Sequence, residues 1–423
     1  MNSHMLISST FLRTTQAWLI WLVAGCFYLY ESIHRVAPGV MIQELMYDFS
    51  SSAAELGTLS ACYYYAYAIV QIPVGILLDK FGPRLLLSLT TLMVSFGSWL
   101  FAETQTLEIA QFSRILIGLG SAFSFIGCLK LGTTWFPAKR FTLIIGLTNL
   151  LGVLGAIFGG RPLSIYVDNF TWRTTMKWSA FLGVLLAILL WLVIRDTPNH
   201  TQKHQSKMPL TLNCLLSLTN PQIWFISIFG GLMVAPITAY SELWDISYLM
   251  DHYHINKPIA AQIASFTFIG IALGSLLIGW HSDTIARRRL TMLIGCLGAL
   301  CNITVILYFP WQIPLPLLTG LHLLFGFFSS SMLLCFSLNT EYLNKNIKGT
   351  CIGLTNTMIA AISVSLQPVV GKLLDIFNVY NINQTTITSD NIYQIAFLPL
   401  ICCHTAGLIL LFFIKDGVCT KQR

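Results

Sequence analysis

Long apolar runs separated by short polar breaks recur along the whole chain. Residues 86–100, 181–194 and 395–414 are examples, and the runs lack the period-2 alternation of a membrane β-barrel. A helix needs about 20 apolar residues to cross a bilayer. The pattern therefore predicts an all-α membrane protein with twelve transmembrane helices, near residues 17–40, 57–78, 86–104, 108–130, 141–163, 174–194, 221–245, 259–280, 290–309, 315–338, 350–372 and 394–414.

Composition supports this interpretation. The chain is 55% hydrophobic and 10% charged, whereas a soluble domain carries about a quarter charged residues. With a cytoplasmic amino terminus, most of the 24 Lys and Arg residues fall in inner loops, so both termini are predicted to be cytoplasmic. The net charge of +7 is then a consequence of topology, and no nucleic-acid partner is needed to explain it.

Two sequence segments occur twice at a similar spacing. "GILLDKFGPR" (Gly75–Arg84) follows the second span and "GWHSDTIARR" (Gly279–Arg288) follows the eighth, with Gly, Asp and the last Arg matching at an offset of 204 residues. "IGLTN" occurs as Ile145–Asn149 and as Ile352–Asn356, at an offset of 207 residues. A nearly constant offset indicates that the second half of the chain repeats the first.

Asp168 and Asp375 also match at 207 residues, so the repeat extends to the eleventh span. We therefore expect two pseudo-symmetric six-helix bundles, residues 1–196 and 218–423, joined by a cytoplasmic loop, 197–217.

The loop after the second span carries a family signature. Its pattern is G-x-x-x-D-[RK]-x-G-x-[RK], and Gly75, Asp79, Lys80, Gly82 and Arg84 fill it. On these residues the chain resembles transporters of the major facilitator superfamily, over essentially its whole length. The resemblance implies a two-bundle transporter in which Asp79 and Arg84 latch the outward-facing conformation, while the simpler interpretation is a basic inner loop.

The second copy of the signature is less complete. Gly279, Asp283, Arg287 and Arg288 match it, but Ala286 replaces the second Gly. We assign these four residues, with Gly75, Asp79 and Arg84, to gating. The fifth span lacks the Gly-Pro pair of the family's antiporter motif, which argues against a drug/proton exchanger.

Span 1 carries charges inside an apolar helix. Glu31 and Arg35 are i, i+4 neighbours, and Tyr28 lies on the same stripe. A charge at this depth costs a few kcal/mol or more, so it is normally paired or faces a wet cavity. Glu31 and Arg35 are therefore either a structural pair or a substrate and proton site, with Arg35 binding a carboxylate and Glu31 carrying a proton. His34, off that stripe, is assigned to packing.

Other polar residues within the spans are further candidates. Arg114 either pairs with a neighbouring carboxylate or binds an anion together with Arg35. Glu242 is placed in the outer part of the cavity, while Asp245 is expected at the outer surface. Lys130 is expected to be a snorkelling anchor at the inner surface.

The duplicated "IGLTN" lies in spans that line the central cavity in the resembling family. Asn149 and Asn356, with the neighbouring Thr148 and Thr355, are predicted to face each other across the site or its inner gate. The alternative is that these polar groups hold helices together. Gly146 and Gly353 are predicted to be close-packing positions.

These features favour a secondary transporter that moves a small carboxylate or zwitterion, such as an amino acid or short peptide, by alternating access. Proton-coupled symport or uniport is the first expectation, with protons, lipids and the solute as partners, no cofactor or metal, and a monomeric state. Alternatives are a proton-antiport exporter, a non-transporting sensor, and a membrane enzyme, although no P-loop, Gly-x-Ser-x-Gly or His-Glu-x-x-His sequence is present. A bacterial inner membrane is predicted; Asn-x-Thr triplets at Asn169 and Asn383 also permit a eukaryotic compartment.

Overall fold

The structure is a computed structural model, and it describes residues 2–137, 140–195, 220–285, 287–309, 312–341, 348–383 and 389–416. Every regular element in these ranges is helical. The predicted loop 197–217 lies outside the described residues. The division into two bundles at that loop therefore stays a prediction.

Twelve helical elements, numbered α1 to α12, correspond to the predicted spans. In the first half they are α1 (Asn2–Val40), α2 (Ala53–Phe81), α3 (Pro83–Glu103), α4 (Leu107–Trp135), α5 (Phe141–Phe158, continued by Arg161–Phe170) and α6 (Trp172–Val193). A short helix, Ile42–Phe49, follows α1.

The second half repeats the arrangement with more interruptions. Its elements are α7 (Pro221–Pro236, the π-helical segment Ile237–Trp244, and Asp245–Tyr253), α8 (Lys257–Ile285), α9 (Arg288–Tyr308), α10 (Leu315–Ser329, the 3-10 segment Ser330–Leu333, and Leu334–Glu341), α11 (Lys348–Val364 and Leu366–Asn383) and α12 (Ser389–Ala396 and Leu398–Leu411).

Among the described residues, ten helices are long and apolar enough to cross a membrane, or eleven if the bent α2 is one span. The first predicted span is not among them, because Glu31, His34 and Arg35 interrupt its apolar sequence. It nevertheless lies within a continuous helix of 39 residues. The predicted all-α membrane fold is confirmed. Hydropathy alone does not identify α1 as a membrane span, because this helix carries charged residues.

Local sequence explains where the helices of the signature loop begin and end. Ser52 and Glu55 form a capping box that starts α2. α2 ends at Gly82, whose φ of 79° favours glycine, and Pro83 then opens α3 at a position where a missing N–H costs nothing. The second Gly of the signature is therefore needed for a tight turn between two spans.

The two halves contact each other along three sets of helices. α2 packs against both segments of α11, α8 packs against both segments of α5, and α1 packs against the π-helical segment of α7. A Cβ added at Gly57 of α2 would lie 2.6 Å from the backbone oxygen of Gln367, so this approach requires glycine. The core of the molecule is thus a helix interface between the repeated halves.

The π-helical segment Ile237–Trp244 follows Pro236 on α7. Proline has no N–H to donate, and π-bulges are frequent at functional sites. Each added residue of a π-helix rotates the helix face that follows. In this chain Glu242 consequently reaches α1 and α2, while Asp245, three residues later, reaches α10.

Candidate functional site

Glu31 is buried at the middle of the helix interface, with an exposure of 1%. Its Oε1 accepts a hydrogen bond from the Tyr63 hydroxyl at 3.0 Å, and its Oε2 accepts one from the Ser32 hydroxyl at 3.1 Å. A buried carboxylate is tolerated only when its oxygens are satisfied in this way. Tyr63, one of the four tyrosines of "YYYAY" at residues 63–67, is therefore a site residue that was not predicted from the sequence.

Arg35 forms its ion pair across the interface of the halves. Its Nε lies 3.6 Å from Oε1 of Glu242 on α7, and the Tyr64 hydroxyl donates to the other oxygen of Glu242. The sequence offered Glu31 as the structural partner of Arg35. Glu31 and Tyr28 do lie within electrostatic reach of it, but the direct ion pair is with Glu242.

Arg114 lies behind Tyr63, with an exposure of 1%. Its Nη1 donates to the carbonyl of His34 at 2.8 Å, and its guanidinium stands 4.9 Å from the centre of the Tyr63 ring. In the described part of the chain no ion pair joins Arg114 to a carboxylate, and its buried Nε and Nη2 make no hydrogen bond there. Carboxylate pairing, one of the two interpretations of Arg114, is therefore not found among the described residues, and anion binding together with Arg35 stays a prediction.

The structure thus brings together five predicted site residues, Tyr28, Glu31, Arg35, Arg114 and Glu242. We call these five, with Tyr63 and Tyr64, the central cluster. It contains the carboxylates of Glu31 and Glu242, one from each half, and the guanidinium groups of Arg35 and Arg114, both from the first half.

The "IGLTN" residues behave differently from the prediction. Thr148 accepts a hydrogen bond from Nε1 of Trp21 on α1, and Thr355 accepts one from Nδ2 of Asn339 on α10, at 3.2 and 2.8 Å. Both threonines are buried within their own half, so they hold helices together and do not face each other. Asn149 is exposed and Asn356 half-buried. Their predicted role in the site stays a prediction.

The glycines of the repeats face open space. In the described part of the chain, a Cβ added at Gly146, Gly353, Gly75 or Gly279 would meet no atom within 4 Å. The prediction that Gly146 and Gly353 are close-packing positions is therefore wrong for this conformation. All four lie toward the end of the helix bundle at which α2 and α8 finish, which is the inner end in the predicted orientation.

At the inner end Asp79 pairs with Lys130 of α4. Lys130, predicted to be a snorkelling anchor at the inner surface, joins α2 to α4 through this ion pair. Arg84 donates from Nε to the carbonyl of Trp191 at 2.9 Å and stacks on that ring at 4.3 Å. Of the two residues of the predicted latch, Asp79 therefore contacts α4 and Arg84 contacts α6.

The second copy of the signature is only partly described. Arg287 is exposed and Arg288 half-buried at the start of α9. The side chain of Asp283 lies outside the described residues. The gating role of these residues stays a prediction.

At the opposite, outer end, two carboxylates connect the halves. Asp375 of α11 accepts hydrogen bonds from the backbone N–H groups of Ala53 and Ala54, at 2.8 and 2.7 Å, and so caps the amino terminus of α2. Asp168 of α5 lies 3.2 Å from Nζ of Lys257, at the amino terminus of α8, and Lys257 also pairs with Glu44.

These contacts repeat the internal symmetry of the chain. Asp168 and Asp375 are separated by 207 residues, and the helix starts Ala53 and Lys257 by 204 residues. We call the Asp168 and Asp375 contacts the outer latches. Because they join the halves while the glycines of the repeats face open space, this conformation is closed at the end that the predicted orientation places outside.

Asp245 is fully buried, contrary to the expectation that it lies at the outer surface. Its Oδ1 is 3.2 Å from Nε2 of His322 on α10. The π-helical segment explains the error, since ordinary helical spacing does not predict the direction of a residue that follows it.

Among the described residues no group of three or more His, Cys, Asp or Glu side chains has the arrangement of a metal site.

In the described residues, twelve helical elements with an internal repeat and a buried cluster of opposite charges between the halves are the arrangement of a multi-pass integral membrane protein. The family model of the Major Facilitator Superfamily matches residues 20–368, and the chain belongs to that family. The similar proteins are named as transporters, which are not enzymes.

Several curated transporters are similar in sequence. The chain is 26% identical over 291 residues to the uncharacterized transporter YybO of Bacillus subtilis (strain 168), covering 64% of this chain and 66% of the relative. It is 24% identical over 289 residues to the hexuronate transporter of the same organism, covering 63% and 66%, respectively. It is also 26% identical over 291 residues to the probable L-galactonate transporter of Escherichia coli (strain K12), covering 65% and 63%. The matches thus span just under two thirds of each relative's length.

Solved structures share the fold. A bacterial homologue of the human lysosomal transporter Spinster, in an inward-facing and unoccupied conformation, has a TM-score of 0.76 at 16% identity, covering 94% of this chain and 95% of that one. A D-xylose-proton symporter has a TM-score of 0.72 at 14% identity, covering 94% and 98%.

Proposed function

We propose that this chain is a proton-coupled transporter of a small organic anion of the sugar-acid class, working by alternating access. The observation that carries the proposal is Arg35. Its side chain is 24% exposed, it bridges the halves through Glu242, and its Nε makes no hydrogen bond in the described part of the structure. A planar guanidinium is suited to binding a carboxylate through two hydrogen bonds.

The similar proteins favour a sugar acid over an amino acid or peptide. Those with named solutes include the hexuronate and L-galactonate transporters and a probable galactarate/D-glucarate transporter. Each of these solutes combines carboxylate and hydroxyl groups. The central cluster offers matching chemistry, since Arg35 is a cation and Tyr28, Tyr63 and Tyr64 carry hydroxyls.

Charge balance within the central cluster favours proton coupling. When Glu31 and Glu242 are ionised, their charges balance those of Arg35 and Arg114. A bound carboxylate leaves this enclosed cluster with a net negative charge, which is costly at membrane depth. A proton bound to Glu31 or Glu242 restores neutrality, so the anion and the proton are expected to bind together.

The outer latches and the inner glycines support an alternating-access cycle. In this conformation the contacts of Asp168 and Asp375 hold the two halves together at the outer end. A Cβ added at the glycines of the inner end would meet no described neighbouring atom. Rocking the halves about the central cluster would open the outer end and close the inner one. We further propose cytoplasmic termini, a bundle boundary at 197–217, a bacterial inner membrane and a monomeric state.

Counterflow into proteoliposomes tests the proposal. Vesicles loaded with galactonate or glucuronate are expected to take up the labelled compound, while xylose, a neutral sugar, fails to replace it. Arg35→Lys keeps the charge but not the planar fork, so we expect a loss of about tenfold or more in apparent affinity.

Arg173→Lys is the matched control, because Arg173 pairs with Asp48 at the periphery, at 3.1 Å. Equal exchange of xylose and galactonate, or full affinity in Arg35→Lys, contradicts the proposed solute class.

A further inference from the structure

The Asp245–His322 pair lies outside the central cluster, inside the second half of the molecule. Both side chains are 0% exposed, and Nε2 of His322 is 3.2 Å from Oδ1 of Asp245. The other oxygen of Asp245 makes no hydrogen bond in the described structure, and neither does the buried hydroxyl of Tyr240, whose ring stacks on His322. An ionisable pair at membrane depth is costly and is commonly functional.

The contacts of His322 show that this pair requires a proton. Nδ1 of His322 lies 2.8 Å from the carbonyl oxygen of Leu318, which can only accept, so Nδ1 carries a hydrogen. In the neutral ring Nε2 is then a bare acceptor. It faces a carboxylate oxygen, which is also an acceptor. The contact is attractive only when one proton lies on Nε2 or on Asp245; without it two lone pairs repel each other.

Two other buried histidines show the difference. His34 and His404 each place Nδ1 3.0 Å from the carbonyl of the residue four positions earlier, as His322 does. Nε2 of His34 faces the hydroxyls of Ser98 and Ser179, which can donate, and Nε2 of His404 has no hydrogen-bond partner in the described structure. Of these three rings, His322 alone faces a carboxylate and needs an additional proton.

The groups around the pair come from four helices. α7 supplies Tyr240, Tyr248 and Tyr253, and α10 supplies His322 itself. α9 contributes the carbonyl of Ile306, which accepts from Tyr248, and α12 contributes the Phe397 ring and Tyr393, which stands beside Tyr248 and donates to Asp251. Among the described neighbours His252 of α7 is also ionisable, and its ring stacks on Tyr248.

The Asp245–His322 pair is connected through α7 to the contact between the halves. Asp245 follows the π-helical segment that carries Glu242, and Glu242 holds Arg35 and Tyr64 of the other half. A bond between Asp245 and His322 fixes the end of this segment against α10. We propose that the Asp245–His322 pair is a second proton-binding site of the transporter, and that its occupancy determines how firmly the outer end stays closed.

The sign of this linkage follows from the contact. A bound proton joins α7 to α10 and supports the closed outer end, so raising the pH should release the proton and favour outer opening. One proton bound in only one of two states changes their equilibrium by up to about tenfold per pH unit. The physiological use of this site rests on the proposed proton-coupled function, but the linkage itself requires no solute.

Hydrogen exchange on the solute-free protein tests the site. The amides of Ala53 and Ala54 are held by Asp375 at the outer latch, so their protection from exchange reports closure of the outer end. After correction for the intrinsic pH dependence of exchange, we expect wild-type protection to fall several-fold per pH unit within its transition. His322→Gln, which donates without titrating, should abolish that dependence.

His404→Gln is the matched control in the same half and should retain the pH dependence. The double variant D245N/H322Q supplies a neutral hydrogen-bonded pair if the single variant does not fold, as judged by thermal unfolding. Protection that is independent of pH in the wild type, retained pH dependence in His322→Gln, or equal loss in His404→Gln overturns the proposal. Counterflow of galactonate on the same proteins separately tests the proposed function, because a failure of transport leaves the exchange result intact.

Discussion

At the scale of single residues, function is concentrated in a few charges that the fold keeps out of water. Glu31 and Arg114 are each 1% exposed, and each is held by Tyr63, which donates to one and lies beneath the other. Removing one member of such a group leaves its partner buried and unsatisfied, and this commonly costs about 3–5 kcal/mol. Conservative substitutions are therefore more informative here than truncations.

Glu31→Gln tests the proton within the central cluster. A neutral amide imitates the protonated acid, so we expect galactonate affinity to become independent of pH, whereas wild-type affinity should fall as pH rises. Titration calorimetry at several pH values measures this directly. Glu103→Gln, at an ion pair of 2.8 Å with Lys177 near the surface, is the control. If affinity still falls with pH in Glu31→Gln, Glu31 is not the coupling residue.

At the scale of helices, two features determine the geometry, namely the outer latches and the π-helical segment of α7. Asp375 accepts from backbone N–H groups at the start of α2, which lack intrahelical partners, whereas Asp168 pairs with the Lys257 side chain at the start of α8. A hydrogen bond to a charged group contributes about 1.5–3 kcal/mol. Loss of one latch should therefore move the conformational equilibrium measurably without unfolding a helix.

Asp375→Ala is expected to favour an open outer end by about tenfold or more. Ser265, buried where α8 meets α5, provides an independent reporter, since a cysteine there should be alkylated faster once the outer end opens. Asp416→Ala is the matched control, because Asp416 accepts from the backbone N–H of Arg289, at 2.8 Å, within one half. Equal alkylation in the two variants would count against the latch.

The ion pair between Asp79 and Lys130 gives a separate prediction at the inner end. Asp79→Asn should slow galactonate counterflow several-fold while leaving the order of preference among solutes unchanged, because the pair is remote from the central cluster. Lys130→Gln should act similarly, and counterflow rates with several sugar acids measure both. A changed solute preference would mean that the gating assignment is misplaced.

At the scale of the whole molecule, the internal repeat accounts for most of what the sequence predicts. Offsets of 204 and 207 residues relate the signature loops, the two "IGLTN" segments and the two latch carboxylates. Apolar run length then places the spans, because each must match the thickness of a bilayer. The charged residues of α1 could be identified as candidate site residues for a related reason. An ionisable residue in a membrane helix normally pairs with another residue or has a function.

The remaining features depend on geometry that short-range spacing does not encode. Asp245 was misplaced because a π-helical segment precedes it and alters the angular spacing of α7. Lys130 pairs with Asp79 although 51 residues separate them along the chain, and His322 contacts Asp245 although 77 residues separate them. The glycines of "IGLTN" were assigned to packing although this conformation leaves them uncovered. A sequence pattern common to all conformations does not reveal which one is adopted.

The proposed function requires that uptake of a sugar acid is coupled to proton movement. Its most direct test is galactonate accumulation in proteoliposomes under an imposed pH gradient, acidic outside. Accumulation above the external concentration is expected, abolished by a proton ionophore and strongly reduced by Arg35→Lys. Uptake that only equilibrates galactonate, or accumulation unaffected by the ionophore, would contradict it.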